Sequence, residues 1–70
     1  MLIPIETMGK RIARFRKGRK LTQAKLAAIT GLCPKYLSDI ETGRKIPRFD
    51  MIARLAAGLR VTIGELIGIR

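Results

Sequence analysis

Residues 22–43 have the sequence TQAKLAAITGLCPKYLSDIETG, and they are the most informative part of this 70-residue chain. Thr22 is a favourable N-cap for a helix, and Gly31 is placed to end that helix after two turns. Pro34 is suited to the first turn of a second helix, for which Gly43 provides a left-handed stop. The connection between the two helices is too short for an antiparallel arrangement. This stretch therefore predicts two short helices that cross at a steep angle.

Apolar side chains in both helices supply the contacts that such a crossing needs. Leu26 lies in the first helix, Leu37 and Ile40 lie in the second, and Leu32 lies between them. Ala27 is small enough to let the helices approach closely. The pattern indicates a helix-turn-helix unit, in which the outer face of the second helix is free to enter a DNA major groove.

Before this unit, the sequence predicts a first helix with Pro4 in its first turn and its end near Gly18. Its apolar side chains repeat at helical spacing and form one stripe, which consists of Ile5, Met8, Ile12 and Phe15. Gly9 inside this helix indicates a close packing contact.

After the unit, a fourth helix is predicted to begin near Phe49. It continues one apolar stripe through Ile52, Leu55, Ala56 and Leu59. A fifth short helix begins at Thr62, which is spaced to form a capping box with Glu65. We therefore expect one compact all-α domain of five helices over residues 1–70.

The charge balance indicates a polyanionic partner. Fifteen Lys and Arg residues against five Asp and Glu residues give a net charge of +10. The chain has no His and one Cys, which excludes Cys/His zinc sites, disulfide frameworks and His-based catalytic triads. We expect no enzyme activity, metal or cofactor.

The sequence also bears on where the protein resides. Its longest apolar stretches are far shorter than the roughly 20 residues that span a bilayer, and its first residues do not form a signal-peptide pattern. A single unpaired Cys suits a reducing compartment. These features predict a cytoplasmic protein that does not associate with membranes.

The same residues occur in the order and spacing of a known family. Over roughly residues 8–67 the chain resembles the lambda-repressor/Cro-type helix-turn-helix domain. The matching positions are Leu21-Thr22-Gln23, Leu26-Ala27, Gly31, Leu37-Ser38-Asp39-Ile40-Glu41, Gly43, Pro47 and Leu55-Ala56…Leu59. The resemblance implies a five-helix domain that binds operator DNA, commonly as a dimer. The chain departs from the family pattern at Cys33, where Ser or Thr is usual, and at Lys25, where Glu is usual.

The resemblance also implies roles for three side chains. In the family, the arginine matched by Arg16 commonly pairs with the glutamate matched by Glu41, so we expect a structural ion pair; a direct contact of Arg16 with DNA is the alternative. The glutamine matched by Gln23 approaches the DNA backbone, and we favour this role over the alternative of an ordinary exposed residue in the first turn of a helix.

Seven cations and no acid occur in residues 10–20. They form either an ordinary solvated face or a phosphate-binding face. We favour phosphate binding because further cations follow the second helix of the unit directly. The predicted phosphate contacts are Thr22, Gln23, Lys10, Arg14, Lys17, Arg44, Lys45 and Arg48.

Base recognition is assigned to the outer face of the second helix. The candidates are Pro34, Lys35, Tyr36, Ser38 and Asp39. Lys35 has the length to reach guanine O6 and N7. Asp39 either accepts a hydrogen bond from cytosine N4 or orients Lys35 one turn earlier. Tyr36 alternatively packs its ring on Ile40.

Together, these features predict sequence-specific binding of double-stranded DNA by a transcriptional repressor or regulator of phage, plasmid or bacterial type. A homodimer is expected through Ile63, Ile67 and Ile69, which exceed what a short terminal helix needs for its own core.

One alternative is an antitoxin that binds a small toxin and represses its own operon, for which Ile29 is a hint. The other is a non-specific binder of nucleic acid or anionic membrane that acts through charge. For Cys33, simple replacement of serine is favoured over a redox switch.

Overall fold

The computed structural model describes residues 7–68, and this part of the chain consists of five α-helices with no strand. The helices are α1 (Met8–Gly18), α2 (Gln23–Thr30), α3 (Pro34–Glu41), α4 (Phe49–Leu59) and α5 (Ile63–Ile67). The predicted all-α fold of five short helices is confirmed. Within residues 7–68, no helix has the length and apolar character needed to cross a bilayer.

The start of α1 differs from the prediction. Thr7 has an extended backbone, and its Oγ1 accepts a hydrogen bond from the backbone N–H of Lys10 at 3.2 Å. This N-cap satisfies a donor that the first helical turn leaves free, so the helix begins at Met8. The helix therefore begins later than the sequence predicts. Pro4 and Ile5 themselves lie outside the described residues.

Both helices of the helix-turn-helix unit are capped, at Thr22 and Gly31 as predicted and also at Cys33. Thr22 Oγ1 accepts a hydrogen bond from the Lys25 backbone N–H at 3.0 Å, and α2 ends at Gly31, which adopts the left-handed conformation with φ of 76°. Cys33 caps α3, because its Sγ accepts a hydrogen bond from the Tyr36 backbone N–H at 3.4 Å. The Gly31 cap at the end of α2 and the Cys33 cap at the start of α3 fix the sharp change of direction between these helices.

The last helix is defined by the capping box. Thr62 Oγ1 accepts from the Glu65 backbone N–H, and Glu65 Oε1 accepts from the Thr62 backbone N–H, both at 2.9 Å. The bond from the Thr62 backbone is the main reason that the pKa of the Glu65 carboxyl lies below its ordinary value. The predicted box is confirmed.

The core lies between all five helices. α2 packs against α3 and α4, α1 packs against α3, and α5 closes the core against α1 and α4. The fully buried large side chains are Ile12, Leu26, Leu37, Ile40, Leu55, Leu59 and Leu66. Leu37 and Ile40 hold the inner face of α3 in this core, which leaves the opposite face of that helix at the surface.

Gly9 allows α1 to cross the end of α3 closely. A Cβ atom at this position would overlap the carbonyl oxygen of Ile40 and lie 2.8 Å from that of Glu41. Both obstacles are backbone atoms, so the approach requires glycine at this point. The close packing contact predicted from the sequence is confirmed, and it fixes where α3 ends relative to α1.

Candidate nucleic-acid interface

The outer face of α3 carries most of the predicted base-recognition residues. Pro34 and Lys35 are exposed, and the side chain of Lys35 is 77% accessible. Ser38 is half-buried. Tyr36 is also half-buried, and its ring packs against the core. Because the inner side of the helix is anchored in the core, these four residues lie at the surface or at its edge.

Asp39 differs from the other candidates on α3. Its side chain is only 7% exposed, and its Oδ1 accepts a hydrogen bond from Lys35 Nζ at 3.0 Å. This hydrogen bond is the main reason that the pKa of the Asp39 carboxyl lies below its ordinary value; partial desolvation opposes the shift. Acceptance of a hydrogen bond from cytosine does not fit this geometry, because the carboxylate is nearly buried and already bound by a cation. The alternative, that Asp39 orients Lys35, does fit it.

Two more cations approach Asp39 from the loop that follows α3. Arg44 Nη1 lies 3.9 Å from Asp39 Oδ1, and Lys45 Nζ lies 3.8 Å from Asp39 Oδ2. The backbone N–H groups of Arg44 and Lys45 also donate to the carbonyl oxygen of Asp39, at 2.8 and 3.2 Å. Lys45 Nζ is 5.7 Å from the ring centroid of Tyr36. We call Asp39, Lys35, Arg44 and Lys45 the Asp39 cluster.

The remainder of this loop combines charge with exposed apolar surface. Arg48 is exposed, and its Nη2 lies 3.4 Å from Asp50 Oδ2. Ile46 is 86% exposed, which sequence reasoning did not anticipate. Phe49 is 69% exposed, so its assignment to the buried stripe of α4 is wrong: as the first residue of α4, it lies at the edge of the loop and not over the core. Pro47 is buried and anchors the loop between them.

The cations of α1 point in two directions. Lys10, Arg14 and Lys17 are exposed, as a phosphate-binding face requires. The guanidinium carbon of Arg14 lies 4.7 Å from the ring centroid of Phe15. Arg16 points the opposite way and is buried.

Arg16 belongs to a buried network that joins α1, α2 and α3. Its Nε lies 2.8 Å from Glu41 Oε2 and its Nη2 lies 3.1 Å from Glu41 Oε1, while its Nη1 donates to the carbonyl oxygen of Leu21 at 2.8 Å. Gln23 Nε2 also donates to Glu41 Oε1, at 2.9 Å. The hydrogen bond between Gln23 and Glu41 is not predictable from the sequence, because no local spacing relates the two residues. It leaves the Gln23 amide partly occupied, and Thr22 Oγ1 is occupied as the α2 cap.

Two apolar features lie away from α3. On α5, Ile63 is half-buried against the core and Ile67 is exposed, whereas Ile69 lies outside the described residues. On α2, Ile29 is 53% exposed and borders an open groove of about 400 Å³. The groove is lined by Ile29, Thr30, Arg54, Ala57 and Gly58.

Two further features of the described residues concern metal binding and Cys33. Among residues 7–68, no group of three or more His, Cys, Asp or Glu side chains is placed to hold a metal ion. Cys33 is exposed, and its sulfur serves as a helix cap. The arrangement instead presents one anchored helix face with cations on either side of it.

This arrangement is that of a helix-turn-helix domain, and the chain belongs to the helix-turn-helix family, whose model matches residues 12–66. The resemblance to lambda-repressor/Cro-type domains is thereby confirmed. The chain is 39% identical over 62 residues to the immunity repressor protein of Bacillus phage phi105, which covers 89% of this chain and 43% of that protein. It therefore spans less than half the length of that relative.

Solved structures of two regulators are similar. The P22 c2 repressor bound to a synthetic operator has a TM-score of 0.85 at 27% identity, over 90% of this chain and 96% of that one. SinR of Bacillus subtilis in complex with DNA has a TM-score of 0.82 at 30% identity, over 86% of this chain and 97% of that one. SinR in complex with SinI has a TM-score of 0.83 at 29% identity, over 87% and 60%.

Proposed function

We propose that this protein binds double-stranded DNA sequence-specifically and regulates transcription, as a repressor or regulator of phage, plasmid or bacterial type. The observation that carries the proposal is the exposed outer face of α3, which is anchored on its inner side by Leu37 and Ile40. The phage immunity repressor among its relatives, and the two similar structures solved with operator or other DNA, support it. Binding of this kind involves no catalysis and needs no cofactor.

Recognition divides between two sets of residues. Bases are contacted in the major groove by α3, through Pro34, Lys35, Tyr36 and Ser38. Phosphates are contacted from both sides of that helix, which fixes the register of the domain on the duplex without reading its sequence. The phosphate set is Lys10, Arg14, Lys17, Thr22, Gln23, Arg44, Lys45 and Arg48.

A homodimer supplies enough base pairs for a specific site. One small domain covers only a short half-site, and two copies related by symmetry bind half-sites about one helical turn apart. Exposed Ile67 and half-buried Ile63 on α5 are the proposed contact. Ile67→Asp places a charge in this contact, so it should shift the mass measured by sedimentation equilibrium from dimer to monomer. If the mass remains that of a dimer after this substitution, α5 is not part of the dimer interface.

Selection from a pool of random duplexes tests the proposed function. The protein is incubated with the pool at increasing salt, and bound duplexes are sequenced. We expect enrichment of a near-palindrome that survives salt concentrations at which bulk binding is lost, because phosphate binding weakens steeply with salt whereas base contacts retain their preference. Retention without any enriched sequence would instead support the charge-only alternative.

A protein partner is a second candidate, favoured by the groove beside Ile29. An exposed isoleucine on its rim provides an apolar contact that DNA binding through α3 does not use. SinR, a structural relative, has been solved with SinI. An antitoxin would retain a small toxin during purification, and Ile29→Ser should release it while operator binding persists. Copurification unaffected by Ile29→Ser would exclude this surface.

A further inference from the structure

The Asp39 cluster contains an acidic side chain on the surface proposed to contact DNA. The chain carries fifteen cations and only five acids, yet two of those acids lie on α3, and one of them, Asp39, is beside the predicted base contacts. A carboxylate close to DNA repels phosphates, so its presence there opposes non-specific binding. Its side chain is nearly buried, and it is therefore poorly placed to contact a base itself.

The cluster joins one cation of α3 to two cations of the following loop. Lys35 Nζ is 3.0 Å from the carboxylate, and the side-chain nitrogens of Lys45 and Arg44 are 3.8 and 3.9 Å from it. The three cations themselves are mostly exposed, so each is able to reach outward from this shared partner. One negative charge thus holds together three side chains that would otherwise repel one another.

This geometry has two consequences for recognition. A lysine side chain is long and flexible, and the hydrogen bond to Asp39 limits the directions that Lys35 Nζ takes. The same carboxylate partly neutralises Arg44 and Lys45, so these cations gain less from an arbitrary phosphate than free side chains would. Both effects favour a duplex whose bases and phosphates match the held arrangement.

We propose that Asp39 is a positioning residue for DNA recognition: its carboxylate holds Lys35, Arg44 and Lys45 in one arrangement and thereby raises discrimination between sequences at the expense of affinity for DNA in general. This inference rests on the proposed function. In this proposal Asp39 does not contact a base. Its carboxylate affects recognition only through the cations that it holds.

The test uses Asp39→Asn, which removes the negative charge and keeps the shape of the side chain. The variant should fold, because the bonds from the Arg44 and Lys45 backbone N–H groups go to the Asp39 carbonyl oxygen and are retained. Asp50→Asn is the matched control: it removes the same charge from an exposed pair with Arg48, outside the cluster. Circular dichroism and thermal unfolding establish that both variants are folded at the temperature of the binding experiments.

Affinities are measured by fluorescence anisotropy for the duplex that the wild-type protein enriches, for copies with one base pair changed, and for a random duplex. Asp39→Asn should bind the random duplex more tightly, with a salt slope steeper by up to about one unit. It should lose about fivefold or more of the discrimination at the base pair that Lys35 contacts. Asp50→Asn should leave that discrimination unchanged.

A double variant shows whether Asp39 acts through Lys35. In the Lys35→Ala background, Asp39→Asn should cause no further loss of discrimination at this base pair, because the side chain that it positions is absent. The proposal is overturned if Asp39→Asn abolishes discrimination at a base pair that Lys35→Ala leaves intact, since Asp39 would then contact that base. It is also overturned if every affinity falls equally.

Failure of the proposed function gives a different result. If the wild-type protein enriches no sequence, specific binding is excluded. The role of Asp39 is then tested by the salt dependence of binding to the random duplex alone. A steeper salt slope for Asp39→Asn than for Asp50→Asn would then support the proposal that the Asp39 carboxylate holds the three cations. Equal slopes for the two variants would overturn it.

Discussion

Arg16 in α1 and Glu41 at the end of α3 form a two-point ion pair, with Nε to Oε2 at 2.8 Å and Nη2 to Oε1 at 3.1 Å. The Glu41 side chain is 6% exposed. This pair fixes the C-terminal end of α3 to α1, and Gln23 extends the link to α2. The orientation of α3 therefore depends on a buried charge pair as well as on apolar packing.

Removing the charge of Glu41 should destabilise the protein strongly. Glu41→Gln leaves the Arg16 guanidinium buried without a counter-charge, which typically costs about 3–5 kcal/mol. The free energy of unfolding, measured by urea titration, should fall by an amount in this range. Arg16→Met combined with Glu41→Leu removes both charges and should recover much of the loss. An unchanged stability for Glu41→Gln together with altered DNA affinity would instead place Arg16 in the DNA interface.

Gly9→Ala should be destabilising for a steric reason. The added Cβ would meet the carbonyl oxygens of Ile40 and Glu41, which are backbone atoms and cannot move without shifting α3. We expect a loss of about 1–3 kcal/mol or more in the free energy of unfolding. Gly18→Ala is the control, because a Cβ there meets nothing within 4 Å. Equal stability of the two variants would contradict the close crossing of α1 and α3.

The Asp39 cluster predicts a pH dependence of stability. The bound cations lower the pKa of Asp39 in the folded protein below its ordinary value of 3.8. The ionised carboxylate therefore stabilises the fold above that value, and this contribution is lost as the pH falls through the lower pKa of the folded state. The difference in melting temperature between wild type and Asp39→Asn should be present at pH 7 and shrink below about pH 4. A difference that stays constant down to pH 2 would contradict this assignment.

The five helices were predictable because their signals are local. Caps such as Thr22 and Thr62 act within one turn, and the apolar stripe of α1 follows from helical spacing alone. The start of α1 was misplaced because Pro4 is a plausible first-turn residue, whereas the cap at Thr7 takes precedence. Phe49 fits the spacing of α4, but spacing does not reveal where the core ends.

The candidate interface was less predictable because its contacts join distant parts of the chain. Lys35 and Asp39 are one helical turn apart, so helical spacing alone predicts their pairing as one of two alternatives. The approach of Arg44 and Lys45 to the same carboxylate depends on how the loop folds back over α3, which no helical periodicity encodes. The bond between Gln23 and Glu41 likewise depends on the crossing angle of α2 and α3.

The proposed function requires a division of roles in which α3 recognises bases while flanking cations bind phosphates. It is tested most directly by comparing Lys35→Ala with Arg48→Ala, an exposed cation outside the Asp39 cluster, on the enriched duplex and on copies with one base pair changed. Arg48→Ala should weaken binding to all duplexes alike and lower the salt slope by about one unit. Lys35→Ala should reduce discrimination at one or two base pairs, where a wrong pair otherwise costs about 1–3 kcal/mol. This division of roles is contradicted if both variants lower every affinity equally and leave discrimination unchanged.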